Sequence, residues 1–429
     1  MKNNIKKGNP IELLAPAGDL EKMKIAFAFG ADAVYFGLPD FSLRARINKF
    51  DSQAIEEAAK YCREKNKKFY MTFNIYAHNS HLEKLSKQLD FVKKIKPDAL
   101  IISDPGILNV VKREIPEMEI HLSTQANVTN FEAAQFWFEQ GIRRVILARE
   151  VGLDEIREIK EKIPELELEY FVHGAMCMSY SGRCILSKWM TNRSANLGDC
   201  AQPCRWKYHI ENQKTFERGG HLRVVDDQNR FEMDVEEDQN GTYFFNSYDL
   251  NLIEHLEALV EAGVDSFKIE GRAKSVYYVA IATRAYRKVL DAIIEDGSKN
   301  EIKKIIREQK LELDKLSNRG YWTGFLLGDE PPHLFDKASL EASDLFIGIS
   351  WDQEENKKRN VFAHNFFNLN EEVEIISPEK NIFAKILKIN LPEEGEKDSA
   401  HGGMERVYEV EFDKKIDGLF LMRKVVKKD

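Results

Sequence analysis

"IELLAPAGDLEKMKIAFAFGADAVYFGL", Ile11–Leu38, holds two short apolar runs with an amphipathic stretch between them. The first run, Ile11–Ala15, has the length and branched content of a buried strand. Pro16-Ala17-Gly18 turns the chain. Asp19 stands where a helix N-cap belongs, because its carboxylate can accept from the free amides of a first turn. Leu20, Met23, Ala26 and Phe27 then share one helical face, and Gly30 follows as a terminating glycine does. Ala33–Leu38 is the second run. Strand, helix, strand at this spacing is a βαβ unit with parallel strands. No Gly-rich dinucleotide turn follows the first strand, which counts against an open nucleotide-binding sheet.

The same rhythm continues outward. Further β-rich runs are Lys68–Asn74, Asp98–Asp104, Glu119–Gln125, Arg143–Arg149, Glu167–Gly174 and Phe267–Arg272, and helical patterns follow or separate them. The helix of unit seven is expected at Tyr248–Ala262 and the last at Ser275–Glu295. Eight strand–helix units predict an α/β fold, a TIM-like (β/α)8 barrel over residues 1–300, rather than a doubly wound sheet. Residues 175–247 then form a Cys-rich insertion after strand seven. Its second half is expected to be a hairpin of WKYHIEN with TYFFNS and a mobile acidic tip. Residues 301–341 read as a helical connection ending near Pro331-Pro332. From residue 342 to 429 the apolar period changes to two, in LFIGIS, NVFAHNFF, EEVEIIS, IFAKILKI and RVYEVEF. That predicts a small C-terminal all-β barrel, with EEGEKDSAHGG as a flexible loop.

Composition narrows the function classes. Apolar residues make up 43% and charged residues 31%, an ordinary globular balance. No run reaches the roughly 18–20 apolar residues of a membrane helix. The basic start MKNNIKKGNP has no apolar segment behind it, so the expected compartment is cytoplasmic, with no membrane partner. The net charge of −8 excludes a globally basic surface, so nucleic acid would have to meet a local patch.

In such barrels the chemistry sits at the C-terminal ends of the strands. Those ends carry Asn74, Gln125, Arg149 with Glu150, His173, and Glu270 with Arg272. Arg44 and Arg46 follow strand two, and His78 follows strand three. Arginines round a pocket suit an anionic ligand, which they pair bidentately. A small dianion held by Arg44, Arg46, Arg149 and Arg272, with Asn74 and Gln125 beside it, is one reading. The other is that Arg149–Glu150 and Glu270–Arg272 are ion pairs closing the mouth. His78, His173 and Glu270 are the candidates for proton transfer. His121, mid-strand, reads as a core histidine, and Cys62 as a small buried apolar side chain.

The insertion holds four of the five cysteines, Cys177, Cys184, Cys200 and Cys204, spaced C-x6-C-x15-C-x3-C. Clustered thiols in a reducing compartment point to metal more than to disulfides. Four thiolates can take zinc or an iron–sulfur cluster, and the first spacing is too wide for a usual zinc knuckle. Between Cys177 and Lys207 stand Arg183, Lys188, Arg193, Arg205 and Lys207 against Asp199 alone. Tyr180, Trp189, Trp206 and Tyr208 are interleaved with them. Basic groups for phosphates with aromatic faces for unstacked bases suit single-stranded RNA. A solvated rim with packed aromatics is the plainer reading of the same residues.

The run EYFVHGAMCMSYSGRCILS, Glu169–Ser187, resembles the signature of the U32 "peptidase" family. LLAPAGDLEKMKIAFAFGADAVYFG, SLRARINKF, NIYAHN, SDPGIL, FNSYDL, FKIEGRAKSVYYVA and RGYWTGFL are similar to further stretches of that family, so the resemblance covers nearly the whole chain. Within it, length and motifs look most like the branch of tRNA uridine hydroxylases. That resemblance implies 5-hydroxyuridine formation at the wobble position, in an anticodon loop, without molecular oxygen. It also implies prephenate as co-substrate and an iron–sulfur cluster, 4Fe-4S, on Cys177, Cys184, Cys200 and Cys204. Prephenate is a dicarboxylate, in keeping with the arginines of the mouth. The family name leaves a second reading, a collagenase-like protease and hence a hydrolase. The chain carries no H-E-x-x-H and no G-x-S-x-G for such chemistry. A third reading is a non-enzymatic RNA- or protein-binding scaffold with structural zinc.

Overall fold

The structure is a computed structural model. It describes residues 11–39, 41–42, 49–177, 179–180, 183–184, 186–206, 208–211, 222–226, 232–235, 237–238, 241–242, 248–328, 344–403 and 406–425. Eight parallel strands close on one another: β1 (Glu12–Pro16), β2 (Ala33–Gly37), β3 (Lys68–Phe73), β4 (Ala99–Ile102), β5 (Ile120–Leu122), β6 (Arg144–Ile146), β7 (Glu167–Ala175) and β8 (Ser266–Ile269). Glu12 pairs with Ser266 and Glu169 pairs with Ser266 from the other side, so β8 closes the ring between β7 and β1. All eight predicted strands are present, in the predicted order.

The helices outside the ring are α1 (Leu20–Ala28), α2 (Ser52–Glu64), α3 (Asn79–Ile95), α4 (Pro105–Glu114), α5 (Phe131–Glu139), α6 (Leu153–Lys162), α7 (Leu256–Glu261) and α8 (Val276–Ile294). Side-chain caps start many of them. Asp19, Asp51, Asp104, Asn130 and Ser275 accept from the backbone amides of Lys22, Ala54, Ile107, Ala133 and Tyr278. Each cap satisfies an amide that the helix itself leaves open.

Unit seven departs from the sequence reading. Its helix was expected from Tyr248, but Asp249–Asn251 is a strand that runs antiparallel to His173–Ala175. A 3-10 turn at Ile253–His255 leads into α7. β7 overshoots its barrel partners at its C-terminal end, and the returning chain pairs with the overhang. Tyr321–Trp322 adds to the far side of Asp249–Asn251. The expected partner of WKYHIEN also differs. Tyr208–Glu211 pairs with Leu222–Asp226, which pairs in turn with Glu232–Val235. Five of the six residues of TYFFNS and half of the acidic stretch 226–241 lie outside the described residues.

A charged helix, Lys299–Asp314, follows α8 and packs against it. The second barrel then has six antiparallel strands: Asp344–Ser350, Asn356–Ala363, Glu372–Ile376, Asn381–Leu391, Val407–Ile416 and Phe420–Val425. Glu372–Ile376 pairs with both Asn381–Leu391 and Phe420–Val425, which closes it. The last strand was not anticipated. The loop expected to be flexible carries two short pairings, Gly395–Glu396 with Asn390–Leu391 and Ser399–Ala400 with Phe367–Asn368. The two barrels meet through Arg423, whose guanidinium donates to Glu374, Glu312 and the Tyr277 hydroxyl on α8. Among the described residues, no helix is long and apolar enough to cross a membrane.

Candidate active site at the barrel mouth

Alternation along a strand puts every second side chain on the barrel axis. Here that face is charged. Glu12 on β1, Arg144 on β6, Glu169 on β7 and Lys268 on β8 are all buried. Arg144 donates to Glu12 and Glu169, and also to Glu167 near the strand's start. Tyr70 and Ser266 donate to Glu12 at 2.6 and 2.8 Å, and Lys268 Nζ lies 2.6 Å from Glu169 Oε1. Burial pushes the Glu12 carboxyl up, but the Arg144 charge and the three donors outweigh it and hold it below the usual range. Burial draws Lys268 below the usual lysine value, with Glu169 opposing. The sequence reading passed over all four residues. The signal was there: each is a charge inside a predicted strand.

Above this column lies the mouth. Arg272, just past β8, is buried and donates to Thr72 Oγ1 at 3.3 Å. Its approach depends on Gly37, where a Cβ would lie 1.9 Å from Ser42 Oγ and 3.1 Å from Arg272 Nη1. Arg149 follows β6 and lays its guanidinium 3.8 Å from the Phe171 ring centroid. Asn74 donates to Gln125 Oε1 at 3.5 Å, and Ser123 donates to that same oxygen. Thus Arg149, Arg272, Asn74 and Gln125 stand at the strand ends as read from the sequence. Arg44 and Arg46 lie outside the described residues.

The proton-transfer candidates are scattered. His78 is an exposed N-cap of α3, and its amide donates to His81 Nδ1 at 3.0 Å. His173 is fully buried, packed against the rings of Tyr278, Tyr286 and Tyr321. Two of those tyrosines belong to α8, outside the strand ring. Burial pulls the His173 pKa down to about 3, with Asp249 opposing, so it is neutral and a weak base. Glu270 is fixed through its backbone: its amide donates to His173 O and its carbonyl accepts from Tyr278. Gly174 is required beside it, with φ +111° and a Cβ position only 2.5 Å from Glu270 O.

The insertion docks on the neighbouring loops. Tyr76 N donates to Asn196 O at 3.1 Å, and Cys184 N to Asn196 Oδ1 at 3.3 Å. Arg183 donates to Asn127, whose amide oxygen faces the guanidinium, and the Tyr180 hydroxyl bonds Thr129. Tyr180 nevertheless keeps 53% of its surface exposed. Arg193 is held by Asp199 and Lys188 by Asn192, within the insertion itself. The side chains of Trp189 and Arg205 lie outside the described set. Cys177 is exposed, and Cys184, Cys200 and Cys204 are half-buried, none of them in a disulfide. Gln202 N points at Cys200 Sγ from 3.3 Å.

The donor set matches thiolate ligation of a cluster, but the gathering does not. Among the described residues no three Cys, His, Asp or Glu side chains stand close enough to share a metal ion.

The profile of peptidase family U32 matches residues 18–335. The tRNA hydroxylation protein P of Haemophilus influenzae is 38% identical over 97% of this chain and 96% of its own length. A collagenase of Porphyromonas gingivalis is 34% identical over 75% of this chain and 74% of its own. A 23S rRNA 5-hydroxycytidine synthase of Escherichia coli is 38% identical over 67% of this chain, but over 40% of its own length.

Proposed function

The chain belongs to peptidase family U32, and from that premise we propose that it is an RNA-modifying enzyme that hydroxylates tRNA, forming 5-hydroxyuridine at the wobble position. One observation carries the reading: the likeness to the Haemophilus tRNA hydroxylation protein runs through both barrels, not through a shared motif alone. The rRNA synthase, a second relative, is named for a hydroxylation at the same ring carbon.

The mouth supports a small anionic co-substrate, which this reading takes to be prephenate. Arg149 and Arg272 are its clamps, with Asn74 and Gln125 as neutral hydrogen-bonding neighbours. Tyr180 offers an exposed ring for an unstacked anticodon base, Arg183 stands beside it for phosphates, and Lys188 is a further cation of the insertion. Replacing C5–H by C5–OH brings one oxygen atom into the base and, with that oxygen at the level of water, releases two electrons and two protons, so the reaction needs an oxygen donor and an external two-electron acceptor to which a cluster would pass the electrons one at a time. An iron–sulfur cluster on Cys177, Cys184, Cys200 and Cys204 would supply electron transfer, and loading it requires the four thiols to draw together. The peptidase reading has less support. His173, the histidine that precedes the cysteines, is buried and neutral down to about pH 3, a poor activator of any nucleophile.

Nucleoside mass spectrometry of tRNA from a deletion strain tests the reading. 5-Hydroxyuridine should disappear and return with the wild-type gene. Unchanged levels in a strain without a second copy of the family would reject it. Anaerobically purified protein should carry iron and sulfide, and alanine at any of the four cysteines should remove both. A zinc-only preparation would withdraw the cluster while leaving the hydroxylation test standing.

A further inference from the structure

Three cations and two aromatic rings alternate across the inner face of the mouth. The Arg149 guanidinium carbon lies 3.8 Å from the Phe171 centroid. Lys268 Nζ lies 5.2 Å from that ring and 4.4 Å from the ring of Tyr35. The Arg272 guanidinium carbon lies 5.7 Å from Tyr35 in turn. The arc therefore runs Arg149, Phe171, Lys268, Tyr35, Arg272, over β6, β7, β8 and β2.

Lys268 is its deepest member, 3% exposed, with a partner, Glu169, that is fully buried. An ion pair this deep does little for stability, because desolvating both charges offsets their attraction. An apolar pair of similar volume does as well or better. Such a pair below a mouth is better accounted for by ligand binding than by folding. The surroundings hold the ammonium still. Glu169 takes one N–H, and its other oxygen is bonded by Arg144, which is bonded to Glu12. The two rings hold the charge by cation–π attraction. An ammonium has three donors, and among the described residues Glu169 is the one hydrogen-bond acceptor of Lys268.

We propose that Lys268 is a ligand-binding group at the floor of the mouth, and that the arc takes a small dicarboxylate with a flat apolar body. The outer arginines match the two carboxylates bidentately, the rings flank the body, and the lysine reaches a single oxygen between them. The inference rests on the reading of the mouth as the anion site, and it adds the residue that measures the ligand's depth.

The test uses the full-length protein and calorimetric titration with prephenate, succinate and citrate as probes. Lys268→Met/Glu169→Leu replaces the ion pair by an apolar pair. If that protein does not fold, Lys268→Gln/Glu169→Gln makes the same comparison with a neutral hydrogen-bonded pair. The folded variant, in which Arg144 loses Glu169 but keeps Glu12 and Glu167, should match the wild type in tRNA affinity. Its affinity for the bound probe should fall roughly tenfold to a hundredfold, the size of one charge-assisted hydrogen bond. A folded variant that binds as tightly as wild type overturns the inference, and so does a wild type that binds none of the three probes. Lys268-dependent binding of succinate or citrate without prephenate keeps Lys268 as a ligand-binding group, overturns the flat apolar body, and removes prephenate from the proposed function.

Discussion

The molecule contains two closed barrels with opposite interiors. The parallel barrel carries Glu12, Arg144, Glu169 and Lys268 on its axis. The antiparallel barrel is filled by Ile347, Val361, Val373, Ala384, Ile386, Val410, Phe412, Phe420 and Met422, with one buried cation, Arg359, over the Phe420 ring and donating to the Ile416 and Gly418 carbonyls. The second interior is what folding alone favours, since burying apolar surface is the main driving force. The first accepts several buried charges, each needing a partner. That cost is concentrated below the mouth, where a ligand can use it. The contrast separates a working barrel from a supporting one, joined through Arg423 and Tyr277.

The strongest way to break this contrast is to remove the hub of the charged interior. Arg144→Met leaves Glu12 and Glu169 buried without their shared partner. Stability should fall by about 3–5 kcal/mol in urea unfolding. A loss below about 1 kcal/mol would mean that water already reaches the column and that its charges are not truly buried.

Acid provides the next test. His121 lies on the axis with its ring 4.7 Å from Tyr70, and its Nε2 is 3.0 Å from Glu119. Burial, with the Arg144 charge adding to it, lowers its pKa to about 3. The sign follows from this. The native state keeps His121 neutral, while the unfolded chain takes up a proton near pH 6.5. Its contribution is therefore complete above about pH 6.5 and is lost as pH falls toward 3. At pH 4 this amounts to something on the order of 3 kcal/mol. His121→Phe should reduce the slope of the stability profile between pH 7 and 4, with the buried His173 keeping its own share, and an unchanged slope would contradict the assignment. The seam between the barrels behaves differently. Burial pushes Glu312 up, but Arg423 and Lys315 outweigh it and bring its pKa to about 2. The seam should therefore keep its full contribution above about pH 4.5 and lose it progressively as pH falls from there toward 2.

The sequence revealed the strands and hid the meaning of their charges. Each β run is bounded by Gly, Pro, Asp or Asn and followed by a 3.6-period stretch, so eight units could be counted. Period two sorts the residues of each strand onto two faces, but it does not say whether the faces that carry Glu12, Glu169 and Lys268 point inside or outside. In most sheets the polar face meets water. In this barrel the outer face is covered by helices, and the polar face is the axis. The strand at Asp249–Asn251 was hidden for a related reason. Its three residues sit ahead of an apolar helical pattern, and only the overhang of β7 gives them a partner. The mouth residues Asn74, Gln125, Arg149 and Arg272 were legible because strand ends are fixed by the strand count. His173 was not, because a register shift beside it at Lys268/Ile269 accompanies its turn toward α8.

The smallest expected effect sharpens the contrast from the other side. Ile386 is fully buried in the antiparallel barrel, on a strand that pairs it with Phe412. Ile386→Val removes one methylene, and the surrounding apolar side chains can close part of the gap. The cost should be about 0.5–1.5 kcal/mol, with no polar group exposed or stranded. No member of this core belongs to the Arg149–Lys268–Arg272 arc, so affinity for the anion probe should stay at the wild-type value. Calorimetry on this variant beside the Lys268→Met/Glu169→Leu pair makes the comparison direct. A comparable loss of affinity in Ile386→Val would mean that packing in the second barrel sets the geometry of the mouth. The route available for that is Arg423 to Tyr277 and along α8 to Tyr278, whose hydroxyl holds the Glu270 carbonyl. In that case the second barrel would be a partner in binding and not a support.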